Sequence, residues 1–150
     1  MIGVYLGRLG IAGSFAVVLA LGACADNKSM QSASLYDRLG GKPAITAVVD
    51  QFVTNVAGDK RINAFFADAD IPHLKMELVD QICQASGGPC TYTGRDMKTT
   101  HQGMGIKDAD FNALVEDLVA ALDKFKVGAA DKSQLLGVLG PMQGQIVEQK

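Results

Sequence analysis

The stretch YTGRDMKTTHQGMGI, residues 92–106, contains His101, one of only two histidines in the chain. Gly103 and Gly105 follow the histidine at alternate positions. Because glycine adopts backbone conformations that other residues avoid, a short helix that carries His101 would end abruptly here. Two interpretations fit these residues alone: a metal ligand on a short helix, or a surface histidine before an ordinary loop.

The sequence on both sides of this stretch has the spacing of amphipathic helices. Apolar residues recur every three or four positions, and no segment alternates with a period of two. Ser34, Pro43, Pro72 and Asp108 are placed to start helices, and Pro141 is placed to kink the last one. The pattern predicts an all-α domain. Its apolar stripes are Ile45, Val48, Val49, Phe52, Val53 and Val56; Leu74, Leu78, Ile82 and Ala85; Phe111, Leu114, Val115, Leu118, Leu122 and Phe125; and Leu135, Val138, Leu139, Met142 and Ile146.

The double glycines at 40–41 and 87–88 each separate two helical segments. Tight turns with positive φ favour glycine, so the chain is expected to fold back sharply at both places. The prediction is a few helices stacked as hairpins, with the histidine stretch between two of them.

Residues 1–23 have the character of an export signal. Arg8 is a single early cation, and the apolar run from Leu9 to Leu21 is too short to span a membrane comfortably. The sequence Leu21-Gly22-Ala23-Cys24 resembles a bacterial lipobox, which predicts cleavage before Cys24 and acylation of its thiol. An ordinary signal peptide followed by a coincidental cysteine is the alternative.

The residues after the lipobox predict where the protein resides. Ala25 is not the aspartate that tends to retain lipoproteins at the inner membrane, so an outer-membrane anchor facing the periplasm is expected for a Gram-negative source. Residues 24–34 are predicted to be the acylated cysteine and a small, polar, flexible tether. Residues 35–150 are predicted to be the folded domain.

Composition excludes one class of partner. The chain of 150 residues has 14 basic and 16 acidic side chains, and loss of Arg8 with the signal would lower the net charge from −2 to −3. Nucleic-acid-binding domains usually carry a basic patch, so no nucleic-acid partner is expected. The length and the hydrophobic content of 48% are those of one globular domain.

Five motifs follow one another along the chain: LYDRLGG at 35–41, NAFF at 63–66, GGP at 87–89, YTG-x-x-MK-x-x-HQG-x-GI at 92–106 and LGVLGP at 136–141. In their order and spacing they resemble those of the group I truncated haemoglobins. The resemblance covers about residues 34–142, and the string around His101 is its most specific part. It implies a two-on-two helical sandwich around a b-type haem (iron protoporphyrin IX) that binds a diatomic gas such as oxygen, nitric oxide or carbon monoxide.

The resemblance implies that His101 is the proximal iron ligand. A neutral imidazole coordinates through Nε2, while its Nδ1–H needs an acceptor that fixes the orientation of the ring. On a short helix, the natural acceptor is the carbonyl four residues earlier, at Met97.

The other expected haem contacts follow from the same resemblance. Phe66 matches a phenylalanine that the family packs against the haem face, while Glu77 and Gln81 share the distal stripe with the leucines of its helix. Lys75 or Arg95 could pair with a propionate, or either could be a solvated surface charge. The full set of expected contacts is Val53, Phe66, Leu74, Leu78, Ile82, Met97, Ile106, Phe111 and Val115.

His73 invites a second interpretation as a sixth iron ligand. It lies about 100° around the helix from Leu74, so a surface or propionate-side position is the alternative.

The sequence departs from the family pattern on the distal side. A tyrosine commonly follows the phenylalanine at the position of Phe52, where this chain has Val53, and a common glutamine is replaced by Leu78. These groups normally donate hydrogen bonds to bound oxygen, and loss of one costs about 1–3 kcal/mol, roughly 5- to 150-fold in affinity. Gln81 could supply a substitute donor or could face solvent.

Cys83 and Cys90 are close in sequence. Together with the two histidines they match no usual zinc spacing, whereas the oxidising compartment of an exported protein favours a disulfide. Such a bond would clamp the helix end across the glycine turn, and Cys24 would remain as the lipidated cysteine.

Three functions are compatible with these residues. The first is reversible binding of a diatomic gas. The second is an enzyme, either a nitric oxide dioxygenase or a peroxidase-like protein, which would need an electron donor of unknown identity. The third is a sensor or electron-transfer protein, for which the chain carries no signalling domain. The apolar distal residues favour the first.

Overall fold

The computed structural model describes residues 33–149. The predicted signal peptide, 1–23, and most of the predicted tether, 24–34, lie outside the described residues. Within them the chain forms helices and no β-strand, which confirms the all-α prediction. The helices are α1 (Leu35–Arg38), α2 (Gly41–Gly58), α3 (Ile71–Ala85), α4 (Met97–His101), α5 (Asp108–Lys124), α6 (Ala129–Leu139) and α7 (Gln143–Ile146), with short 3-10 helices at Asn63–Phe66 and Gly140–Met142.

The long helix α2 forms the centre of the domain. It packs against both α3 and α5, while α6 contacts α1 and α3. Every apolar residue that the periodicity assigned to the buried face of α2 is buried, from Ile45 to Val56. Burial of such side chains contributes roughly 1.5–3 kcal/mol each, so the stripe on α2 holds the layers together.

Local sequence signals explain where the first helices begin. The Ser34 hydroxyl accepts a hydrogen bond from the Asp37 amide at 3.1 Å, and the Asp37 carboxylate accepts one from the Ser34 amide at 3.1 Å. This reciprocal cap fixes the first turn of α1. Gly40, with φ of 94°, then turns the chain into α2, which begins at Gly41 rather than at Pro43.

Three details of the helix predictions need correction. Asp108 is the first residue of α5, and Lys107 is its N-cap. Phe125 is the C-cap that follows α5 and is 44% exposed, so it does not continue the buried stripe of that helix. Pro141 does more than kink the last helix: α6 ends at Leu139, and α7 begins after a 3-10 turn. Proline cannot donate a helical hydrogen bond, which explains the break.

The predicted disulfide is confirmed. Cys83 and Cys90 are bonded, with their Cα atoms 5.7 Å apart. Cys83 is fully buried at the end of α3, so the bond ties that end to the loop that leads toward α4. Among residues 33–149, no helix is both long enough and apolar enough to cross a membrane.

Candidate functional site

The helix that carries His101 is only five residues long. Its N-cap is Asp96, whose carboxylate accepts a hydrogen bond from the Thr99 amide at 2.9 Å. Hydrogen bonds from Thr99 lower the pKa of Asp96, so the cap is ionised at neutral pH. Because isolated helices of this length are unstable, α4 depends on such contacts at its ends.

The His101 ring is oriented by the backbone of its own helix. Its Nδ1 lies 2.7 Å from the carbonyl oxygen of Met97, as predicted. A carbonyl can only accept, so in the neutral form of the ring Nδ1 carries the hydrogen and Nε2 keeps its lone pair. Nε2 forms no hydrogen bond with any residue from 33 to 149. A neutral imidazole held in this way is poised to bind a metal.

Among residues 33–149, His101 does not belong to a cluster of protein side chains that could bind a metal ion on their own. Within the described part of the chain, no three His, Cys, Asp or Glu side chains are grouped so that they could share a metal ion. A metal bound here would therefore need to bring most of its own ligands, as the iron of a porphyrin does.

His101 lines a cavity of about 380 Å³, here called the histidine cavity. It lies between the first 3-10 helix, α4 and α5. Asp68, Arg95 and Asp110 bring charge to it, while its other walls are mostly apolar. Its apolar lining includes Phe65, Phe66, Leu74, Met104, Ile106, Phe111, Leu114 and Ile146.

A second cavity of about 390 Å³, here called the apolar cavity, lies between α2, the same 3-10 helix and α3. Among the described residues that line it, only Asn63 has a polar side chain, and its amide donates to the carbonyl of Ala57 at 3.4 Å. The other lining residues are Phe52, Val53, Val56, Ala57, Ala64, Phe66, Ala67, Ile71, Leu74 and Leu78.

The two cavities are adjacent, because Ala64, Phe66 and Leu74 line both of them. His101 lies on one side of this shared wall, and Val53 and Leu78 lie on the other.

Most of the predicted site residues line these cavities. Phe66 and Leu74 line both, Val53 and Leu78 line the apolar cavity, and Ile106, Phe111 and His101 line the histidine cavity. Leu74 and Leu78 are only half-buried, because protein atoms do not fill the space that they face.

Ile82, Met97 and Val115 line neither cavity. Successive i, i+4 positions advance about 40° around a helix, so Ile82 has rotated away from Leu74 and is buried in the core with 4% exposure. Met97 and Val115 pack against the cluster of Ile106 and Phe111, behind the wall of the histidine cavity.

Gln81 occupies neither of the two positions considered for it from sequence. Its amide donates to the sulfur atoms of Met97 at 3.5 Å and Met142 at 3.7 Å, and it lines neither cavity. Gln81 lies roughly 10 Å along α3 from Leu74, beyond the end of the apolar cavity.

The remaining candidates for haem contacts, His73, Lys75 and Arg95, differ in whether they line a cavity. His73 is largely exposed, lies 3.9 Å from the Glu77 carboxylate and lines neither cavity. Lys75 forms a 2.9 Å ion pair with Asp50, whereas Arg95 lines the histidine cavity. Arg95 is thus the better placed of the two for an acidic ligand group.

Sequence reasoning did not identify several lining residues. Met104, between the two glycines, and Ile146, at the end of α7, both line the histidine cavity. Met104 lies three residues after His101, which could have indicated its place in the cavity lining. Nothing local could indicate Ile146, because only the tertiary fold brings α7 to α4.

Comparison with known proteins identifies the family. The sequence profile described as bacterial-like globin matches residues 34–148. A group 1 truncated hemoglobin GlbN from Mycolicibacterium paratuberculosis is 35% identical over 119 residues, which cover 79% of this chain and 88% of the relative. The chain belongs to the group 1 truncated haemoglobins, within the bacterial-like globin family.

Solved structures agree with this assignment. The truncated hemoglobin of Tetrahymena pyriformis, in its Fe(III) form, superposes with a TM-score of 0.74 at 30% identity, covering 77% of this chain and 98% of that one. The 2/2 hemoglobin of a Synechococcus species, with covalently attached heme, gives a TM-score of 0.70 at 32% identity, covering 75% and 95%. The predicted two-on-two fold is confirmed.

Truncated haemoglobins are haem proteins that bind oxygen reversibly, and the residues described above fit a haem. His101 offers one free ring nitrogen. The adjoining cavities offer apolar walls on both sides of Phe66, and Arg95 offers a cation.

Proposed function

We propose that this protein binds a diatomic gas reversibly at the iron of a b-type haem held by His101. The observation that carries the proposal is the 2.7 Å hydrogen bond from Nδ1 to the Met97 carbonyl, which leaves Nε2 free in the histidine cavity. Haem iron, when bound, supplies an open coordination position for oxygen, nitric oxide or carbon monoxide.

Each side chain has a distinct part in this proposal. His101 holds the iron, Phe66 packs against the porphyrin and Arg95 pairs with a propionate. Ile106 and Phe111 exclude water from the histidine side. Val53 and Leu78 give the gas an apolar surface without a hydrogen-bond donor.

The test is an absorption spectrum of the purified protein in its ferric, ferrous and carbon monoxide forms. His101→Gly should lose haem, or should need added imidazole to retain it. His73→Gly is the matched control, because this other histidine lines neither cavity, and it should leave the spectrum unchanged. An unaltered Soret band and haem affinity in His101→Gly would show that the ligand assignment is wrong.

The apolar cavity favours a binding protein over an enzyme. A nitric oxide dioxygenase must hold oxygen long enough to meet nitric oxide, and it needs an electron donor to restore the ferrous state. Val53 and Leu78 carry no donor, and the Asn63 amide is bonded to the Ala57 carbonyl, so oxygen should leave quickly. A slow oxygen release together with rapid consumption of nitric oxide would support the dioxygenase instead.

We also propose that the protein is exported and lipid-anchored through Cys24, at the outer membrane on its periplasmic side. The proposal rests on the sequence of residues 1–34, and the Cys83–Cys90 disulfide is consistent with it because such bonds persist in oxidising compartments. Mass spectrometry of the mature protein should find an acylated Cys24, and Cys24→Ser should abolish membrane partition. A mature terminus elsewhere without lipid would contradict it.

A further inference from the structure

The loop after His101 is held by a side chain from the C-terminal segment of the domain. The Gly103 amide donates to Oε1 of Glu148 at 2.6 Å, and the Gly105 amide donates to Oε2 at 2.6 Å. Both glycines have positive φ, 83° and 68°. This backbone conformation turns two nearby amides toward one carboxylate.

The backbone of the same C-terminal segment makes further contacts with the loop. The amides of Glu148 and Gln149 donate to the carbonyl of Ile106 at 2.9 and 3.2 Å. Residues 103–106 are therefore tied to residues 148–149 by four hydrogen bonds. The tied loop includes Met104 and Ile106, which line the histidine cavity.

The bonds to Glu148 are of a strong type. Hydrogen bonds to an ionised carboxylate are roughly twice as strong as neutral ones. The Gly103 and Gly105 amides lower the pKa of Glu148, so the carboxylate is charged at neutral pH. The geometry uses both of its oxygens, which a neutral amide side chain could not reproduce.

We propose that Glu148 is a positioning residue for His101, which fixes the loop after α4 and thereby stabilises haem retention and sets the iron–histidine bond. This inference rests on the proposed function. The helix α4 has five residues and few intrinsic restraints. Asp96 fixes its beginning, and Glu148 fixes the chain two residues beyond its end.

The test compares three versions of the chain. Glu148→Gln keeps the size of the side chain but leaves only one acceptor oxygen, so one glycine amide must lose its partner. Glu148→Asp keeps the charge and both oxygens on a shorter stem. Glu116→Gln is the matched control, since Glu116 is an exposed carboxylate on α5 that bonds Arg61.

Three measurements should respond to Glu148→Gln. Hydrogen exchange of the Gly103 and Gly105 amides in haem-free protein should accelerate by about 10-fold or more, as expected for loss of a charged hydrogen bond. Haem transfer to an acceptor globin should accelerate by about 5-fold. The iron–histidine stretching band of the ferrous protein should shift or broaden. Glu148→Asp should restore part of each effect, and Glu116→Gln should show none.

The outcomes separate this inference from the proposed function. If Glu148→Gln leaves the amide exchange and the iron–histidine band unchanged while His101→Gly loses haem, Glu148 is only a surface residue and the inference is wrong. Equal losses in the Asp and Gln variants would contradict the partial rescue that a charged pair of oxygens should give. If His101→Gly retains haem normally, the proposed function itself fails.

Discussion

The two sides of the candidate haem site are built in different ways. On the histidine side, polar groups are paired around α4: Asp96 caps it, the Met97 carbonyl orients the ring and Glu148 binds the following loop. On the gas side, the apolar cavity has Asn63 as its one polar side chain among the described lining residues, and that amide is bonded to Ala57. Hydrogen bonds therefore fix the side that holds the cofactor, whereas the gas side is formed by the shape and the apolar side chains of its cavity.

This difference implies that cofactor affinity and gas affinity depend on separate residues. Changes at His101 or Glu148 should act on haem retention, and changes at Val53 or Leu78 should act on gas release. Phe66 and Leu74, which line both cavities, are the positions at which both properties should change together.

The largest expected effect is on stability. It concerns the disulfide at the C-terminal end of α3, which lies outside both the histidine side and the gas side. Cys90→Ala removes the disulfide and should lower the free energy of unfolding by about 2–3 kcal/mol, because a closed loop of this length restricts the unfolded chain. Cys83 should tolerate its free thiol, since a buried cysteine behaves as a small apolar residue. Chemical denaturation of the haem protein measures the loss.

Wild-type protein with its disulfide reduced is the matched control and should show the same loss. Oxygen release should change by less than about twofold in both forms, because the bond lies at the end of α3 away from the cavities. A large change in oxygen release would show that Leu74 and Leu78 depend on the disulfide for their positions.

The second prediction adds a polar group to the gas side. Val53→Tyr places a hydroxyl in the apolar cavity and should slow oxygen release by roughly 5- to 150-fold, the range for one hydrogen bond of about 1–3 kcal/mol. Carbon monoxide is less polar when bound and should be affected less, so the oxygen-to-carbon-monoxide affinity ratio should rise. Stopped-flow oxygen dissociation is the measurement.

Val53→Phe separates the hydroxyl from the ring. It introduces the same aromatic volume without a donor, so slow release in both variants would indicate a blocked exit rather than a hydrogen bond. Slow oxygen release in the unaltered chain would mean that an unidentified donor lies on the gas side, and the contrast between the two sides would then be wrong.

Sequence was a good guide to the helices and to the central histidine. The stripe from Ile45 to Val56 is buried as its periodicity predicts, and the bond between His101 and the Met97 carbonyl follows from helical spacing. The disulfide followed from two nearby cysteines and an expected oxidising environment. These features depend on local spacing, which a sequence displays directly.

Features that depend on tertiary contact were not predictable in this way. Glu148 lies 45 residues from Gly103 in sequence, and no pattern links them. Ile82 continues the stripe of Leu74 and Leu78, yet helical rotation moves it into the core. Periodicity identifies the apolar face of a helix, but it does not say which part of that face meets protein and which part meets a cavity.

The smallest expected effect concerns Gln81, whose role sequence left open between a substitute donor and a solvent-facing side chain. Its amide instead contacts the sulfur atoms of Met97 and Met142, at 3.5 and 3.7 Å. Thioether sulfur is a weak acceptor, so Gln81→Leu removes only weak hydrogen bonds to the two sulfur atoms. It also adds an apolar side chain to an apolar cluster. Oxygen release should therefore change by less than about twofold, and the free energy of unfolding by less than about 1 kcal/mol.

Gln81→Glu is a useful contrast, because a carboxylate cannot donate to either sulfur and would be partly buried among methionines. This variant should destabilise the fold while still leaving oxygen release unchanged. Stopped-flow kinetics on both variants, beside Val53→Tyr, decides the matter. Faster oxygen release in Gln81→Leu would mean that the Gln81 amide reaches the bound gas, and the gas side would then have a polar donor other than Asn63, whose amide is bonded to Ala57.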